Sequence, residues 1–218
     1  MAKTEAATGA AFDERTESAM DWVRSNGKYI AIAAVVVAVG AAGWFFVRQS
    51  QITKATAAEN QLNRARQSYG QGNLPLAQTD LRQLITRFKG TTAGSQATML
   101  LAQTYFEQGK ADSGLTVLNA GDPARADAAA FEALKGAGLE QKKEYAQAAA
   151  RYQAAAAETN VKVSKDRYMA DAARAFTSAG NKAEAAKIWE TLAKDEASAF
   201  SAEARVRLGE LTATAATR

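Results

Sequence analysis

Residues 102–121 read Ala-Gln-Thr-Tyr-Phe-Glu-Gln-Gly-Lys-Ala-Asp-Ser-Gly-Leu-Thr-Val-Leu-Asn-Ala-Gly. Small or large apolar residues stand at Ala102, Tyr105, Gly114 and Leu118, and Gly109 and Gly121 fall where turns belong. The same offsets return in Ala65, Ser68, Gly72, Ala77, Leu81 and Leu84. They return again in Gly136, Leu139, Lys143, Ala148, Tyr152 and Ala155, and once more in Ala173, Phe176, Gly180, Ala185, Trp189 and Leu192. Self-similarity of this kind decides fold class before any local propensity does.

The four units step by 37, 34 and 37 residues, from Ala65 to Ala102, Gly136 and Ala173. These steps resemble the 34-residue tetratricopeptide repeat with short loop insertions, in which each unit is a helical hairpin. The first small residue lets two helices cross closely, the apolar residue three positions on fills the gap, and the Gly position ends helix A. The later Ala admits helix A against helix B. Asn73 with Pro75 reads as the start of the first helix B, and Asn181-Lys182-Ala183-Glu184 reads as a capping box starting the last. One hairpin cannot bury its apolar face alone, so the stack needs neighbours and a polar cap, for which Ser201 to Leu211 is suited. Ser68 and Leu139 replace the usual aromatic, Lys143 replaces the usual Gly, and the closing Pro of the repeat is missing throughout, so the units are degenerate. An unrelated helical bundle is the alternative for this pattern. The fold expected is all-α: a single N-terminal transmembrane helix, then a right-handed tetratricopeptide-like α-solenoid of about four hairpins with a C-terminal capping helix.

Upstream, Tyr29 to Val47 is a run of nineteen residues without a charge, closed by Lys28 and Arg48. A bilayer core needs about 20 predominantly apolar residues. A cleaved secretory signal fits less well, because 28 residues including Glu5, Asp13, Glu14, Glu17 and Asp21 precede the apolar run. Residues 28–48 are therefore expected to be a transmembrane anchor, between a tail of residues 1–27 and a solenoid of residues 49–212, with residues 213–218 as a second tail. In the first tail, Phe12, Thr16, Ala19, Met20 and Val23 recur at helical spacing, which suits an interfacial helix stopped at Asn26-Gly27; a partly ordered tail is the alternative. Ala34, Ala38 and Ala42 have the small-xxx-small spacing that lets another membrane helix approach, or they are filler in an alanine-rich chain. Positive charges flank both sides of the anchor, so the positive-inside rule does not orient it.

Composition excludes much chemistry. The chain has no His and no Cys, so no thiolate nucleophile, Ser/His pair or ordinary zinc site can be built from it alone. Net charge is +4 and dispersed, without the basic face of a nucleic-acid binder. Carboxylates such as Asp195-Glu196 and Glu158 are scattered, and the glycines are spaced as helix ends rather than phosphate cradles. The expectation is a non-catalytic chain with no cofactor, metal, nucleic acid or small-molecule substrate.

Trp22, Asn26-Gly27-Lys28 and Gly43-Trp44, followed by degenerate tetratricopeptide hairpins, resemble a bacterial inner-membrane family associated with the Sec translocon. That resemblance covers nearly the whole chain. It implies a cytoplasmic N-terminus, a periplasmic repeat domain and contact with periplasmic chaperones or newly exported proteins, and it brings no catalytic residues. An accessory subunit stabilising a photosynthetic reaction centre or respiratory assembly would use the same architecture. In such solenoids helix A lines the concave face, so the repeat phase nominates Leu62, Arg66 and Tyr69, then Met99, Gln103 and Phe106, then Arg167, Ala170 and Arg174 as partner-binding positions. Arg, Met and aromatic side chains suit an extended peptide, whereas a solvated groove with packing aromatics is the bland alternative.

Overall fold

The structure is a computed structural model. It describes the backbone of residues 2–216, and the side chains of residues 22, 25, 27–29, 32, 35–37, 39–50 and 52–213. The chain divides into two compact units, Met1–Thr53 and Lys54–Arg218.

Helix α1 runs over Ala2–Gly70. Asn26-Gly27 does not end it. Gly27 is not in the left-handed region that a helix-ending glycine adopts, so the expected stop is absent. Within the first unit the described apolar side chains face outward: Val37 is 70% and Phe46 77% exposed. Lys28 lies over the Tyr29 ring at 5.1 Å and Arg48 over the Trp44 ring at 5.3 Å. Among the described residues, one stretch of helix within Val35–Gly70 is long and apolar enough to cross a membrane. Ala42 is exposed, while the side chains of Ala34 and Ala38 lie outside the described residues.

The second unit is all-helical among the described residues. The end of α1 is followed by α2 (Leu74–Arg87), α3 (Thr92–Glu107), α4 (Ala111–Ala120), a 3-10 turn at Arg125–Asp127, α5 (Ala128–Gln141), α6 (Tyr145–Ala157), α7 (Lys162–Ser178), α8 (Lys182–Lys194) and α9 (Ser201–Ala216). The hairpins fall where the repeat puts them.

Each hairpin turn is built by one hydrogen-bond pattern. The third marked position of every unit has positive φ: Gly72 (75°), Gly109 (72°), Lys143 (61°) and Gly180 (79°). The residue after it donates its N–H back to the second marked position, as Lys110 does to the Tyr105 carbonyl at 2.9 Å; Asn73 to Ser68, Glu144 to Leu139 and Asn181 to Phe176 repeat the bond at the same length. With the inner bonds, such as Gly109 N–H to the Phe106 carbonyl at 2.9 Å, this is a Schellman cap. The fourth marked residue then makes the first bond of helix B, as Gly114 N–H does to the Lys110 carbonyl at 3.1 Å. At α2 the Asn73 side chain accepts from the Leu76 N–H, with Pro75 in the first turn. At α8 Asn181 is the cap residue, but its side chain makes no cap hydrogen bond, so the capping box read from sequence does not form.

The extra residues in the longer repeat steps lengthen helices rather than loops. Helices α3 and α7 have 16 and 17 residues against 14 in α5, and the links before them, residues 88–91 and 158–161, are shorter than the 121–127 link before α5.

The core lies in three clusters. Leu62, Leu81, Leu84 and Leu101 centre the first, Leu118 and Phe131 the second, and Leu139, Tyr152, Ile188 and Trp189 the third. Phe106 packs against both the second and the third. Its ring sits between Gly114 of α4 and Gly138 of α5, where an added Cβ would lie 2.3 and 2.5 Å from ring carbons. Two glycines therefore make the slot that this ring fills.

Candidate functional site

A groove of about 720 Å³ runs across the A helices of the second unit. Helix α1 contributes Arg66 and Tyr69; α3 contributes Gln96, Met99, Leu100 and Gln103; α5 contributes Ala130, Ala133, Leu134 and Ala137; α7 contributes Arg167, Tyr168 and Asp171. Asp127 and Tyr152 complete it. The spacing on α3 and α5 is three, four and seven residues, which is one face of a helix.

Five nominated residues, Arg66, Tyr69, Met99, Gln103 and Arg167, come together here. Four others do not. Leu62 and Ala170 are completely buried in the core, out of a partner's reach. Phe106 fills the glycine slot described above. Arg174 lines a separate pocket of about 390 Å³ with Trp189, Arg207 and Leu211. The physical reason is a drift of the lining positions. In the first unit they fall just after the first marked residue (Arg66 and Tyr69 after Ala65), whereas in the fourth all three precede it (Arg167, Tyr168 and Asp171 before Ala173). Successive hairpins of a solenoid are rotated relative to one another, so one fixed set of offsets cannot describe every helix. The α5 face was missed for another reason: alanines carry no signal that separates a groove floor from ordinary helix filler.

Polar groups in the groove hold each other in graded ways. The Arg66 guanidinium donates to the Gln96 side-chain oxygen at 2.7 Å and to that of Asn63 at 3.4 Å, both neutral acceptors. The Tyr69 hydroxyl donates to Glu107, which holds its pKa above the ordinary tyrosine value, with burial acting in the same direction. Tyr152 donates to Glu140 at 2.9 Å, and its pKa is raised mainly by burial and then by the Glu140 charge. Burial also pushes Asp171 up, against the pull of Arg174 and Arg167.

Arg174 is the most committed side chain of α7. It makes two bonds to Glu203 of α9, at 2.9 and 2.6 Å, and one to Asp171 at 2.6 Å. Its guanidinium is 5.9 Å from both the Trp189 and the Phe200 ring centroids. It fastens α9 to the stack.

Residues 53–170, more than half of the chain, match the tetratricopeptide repeat-like domain family. The chain belongs to that family. No curated protein matches it. The repeat-like chain is similar in fold to a crystal structure of the nearly identical TPR-like repeats of a Podosopora anserina protein described as a kinesin light chain, with a TM-score of 0.56 at 14% identity, covering 75% of this chain and 89% of the other. A single-substitution variant of that structure gives a TM-score of 0.57 with the same identity and coverage. The family is typically a non-catalytic scaffold for protein partners.

Proposed function

We propose that this chain is a membrane-tethered scaffold whose repeats hold partner proteins at the periplasmic face of a bacterial inner membrane, assisting secretion or chaperone contacts beside the translocon. The observation that carries the reading is the groove: all four A helices contribute to it, and five residues nominated by the repeat phase line it. The tether is supported by the outward-facing apolar run and by the cation-aromatic pairs at its two ends. Location and orientation rest on the resemblance carried by Trp22, Asn26-Gly27-Lys28 and Gly43-Trp44.

The test is isolation of the full chain in mild detergent, with mass spectrometry of what accompanies it. Translocon components or chaperones support the reading. A fixed pigment or redox assembly would replace it with the accessory-subunit role, and recovery only as a lone monomer would overturn both. Reversing Arg66 together with Arg167 is expected to release the partner without lowering the melting temperature, because neither side chain is in the core. Arg174 is unsuitable for this purpose, since its loss breaks the bonds to Asp171 and Glu203.

A further inference from the structure

Two charged groups in the groove lack a counter-charge, and they have opposite sign. Arg66 reaches only the amide side chains of Gln96 and Asn63. Asp127 precedes α5 and makes no cap hydrogen bond to it; its Oδ2 is shielded from solvent and has no hydrogen-bond partner. A shielded carboxylate oxygen left unpaired costs free energy, and such groups in folded proteins ordinarily have a partner. Every other carboxylate lining the groove is compensated, since Asp171 has Arg174 at 2.6 Å. The same groove is lined by Met99, Leu100 and Leu134 and by Ala130, Ala133 and Ala137, whose small side chains leave room for a large one.

We infer that the groove takes an extended protein segment of bipolar charge, whose Lys or Arg side chain pairs with Asp127, whose carboxylate pairs with Arg66, and whose apolar side chains between them rest on the α5 alanine floor. This deepens the scaffold reading above and rests on it. Asp127 sets specificity: it supplies the counter-ion site that an all-acidic or all-neutral segment leaves unpaired. The Arg66 guanidinium lies at Gln96 of α3 and Asp127 at the start of α5, so the segment crosses from α3 to α5.

The test uses the full chain in detergent micelles and fluorescein-labelled seven-residue peptides with a Phe-Leu-Phe centre, read by fluorescence anisotropy. One carries Glu first and Lys last, a second has the reverse order, and a third has Glu with norleucine in place of Lys. Tighter binding of one Glu/Lys peptide over the norleucine peptide, by about tenfold, is expected. Asp127→Asn is expected to abolish that preference, and Asp127→Glu to keep it within a few-fold. Equal binding of all three peptides, no binding by any, or a preference that survives Asp127→Asn would overturn the inference. Circular dichroism melts of both variants separate loss of recognition from loss of fold. Partner recovery from the detergent isolation is scored independently, so the scaffold reading can stand where this inference fails.

Discussion

Trp44 and Trp189 are the same residue in two regions of one chain, with opposite surroundings. Trp44 is 64% exposed among Phe45, Phe46 and Val47, whereas Trp189 is 1% exposed at the centre of the third core cluster. Alanine content does not distinguish the two regions, because each is rich in Ala; the absence of charge from Tyr29 to Val47 does. So does periodicity. The run from Tyr29 to Val47 is apolar on all sides of its helix and buries nothing in the described structure, while the repeats confine their apolar residues to faces that meet neighbouring helices.

The widest gap between the regions should appear on substituting each tryptophan. Trp189→Ala is expected to cost the repeat domain about 3–5 kcal/mol, as for other large-to-small core changes. Trp44→Ala should leave the unfolding of that domain unchanged; chemical denaturation of the two variants side by side measures both. A drop in repeat-domain stability with Trp44→Ala would dissolve the distinction.

Gly138→Ala ranks next. Its new methyl meets the Phe106 ring, and overpacking of this kind costs about 1–3 kcal/mol. Gly43→Ala in the first unit meets nothing within 4 Å and should be silent in the same assay.

A smaller effect is expected from Glu203→Gln, which weakens the fastening of α9 by about 1 kcal/mol. Arg174 holds the Glu203 carboxyl below its ordinary pKa, chiefly through their hydrogen bonds. A depressed folded-state pKa means stability that is present above the unfolded value and lost as pH falls through the folded one. The difference between wild type and Glu203→Gln should therefore be full at neutral pH and shrink on acidification below the ordinary glutamate range. A difference that grows in acid would refute the assignment.

Smallest is Lys143→Gly. Relief of the left-handed backbone outweighs the entropy gained by the unfolded glycine chain, giving about 0.5–1 kcal/mol of added stability. Gly109→Ala, at the equivalent turn, should lose a similar amount.

These turns also mark how far the sequence could be read. Gly72, Gly109 and Gly180 announced themselves, and Lys143 was placed at the same point by phase alone, because the repeat offsets are those of a local hydrogen-bonded cap. Local geometry is legible from local spacing. The groove was legible only in part. Arg66, Tyr69, Met99, Gln103 and Arg167 followed from phase, but Phe106 did not, because its slot is made by Gly114 and Gly138 on two other helices. Arg174 escaped similarly, drawn away by Glu203 and the Trp189 and Phe200 rings. Rotation between hairpins is a tertiary quantity, and no single repeat encodes it.

The bridging position of Phe106 has a consequence for how the domain comes apart. Val117 packs against the first and second core clusters, and Phe106 against the second and third, so single side chains join what would otherwise be separate cores. In a stack of repeats, the contact between neighbours is what makes unfolding a concerted event. Trimming the Phe106 ring should therefore do more than lower stability: it should split one melting transition into two, with the helices from α5 onward unfolding on their own schedule.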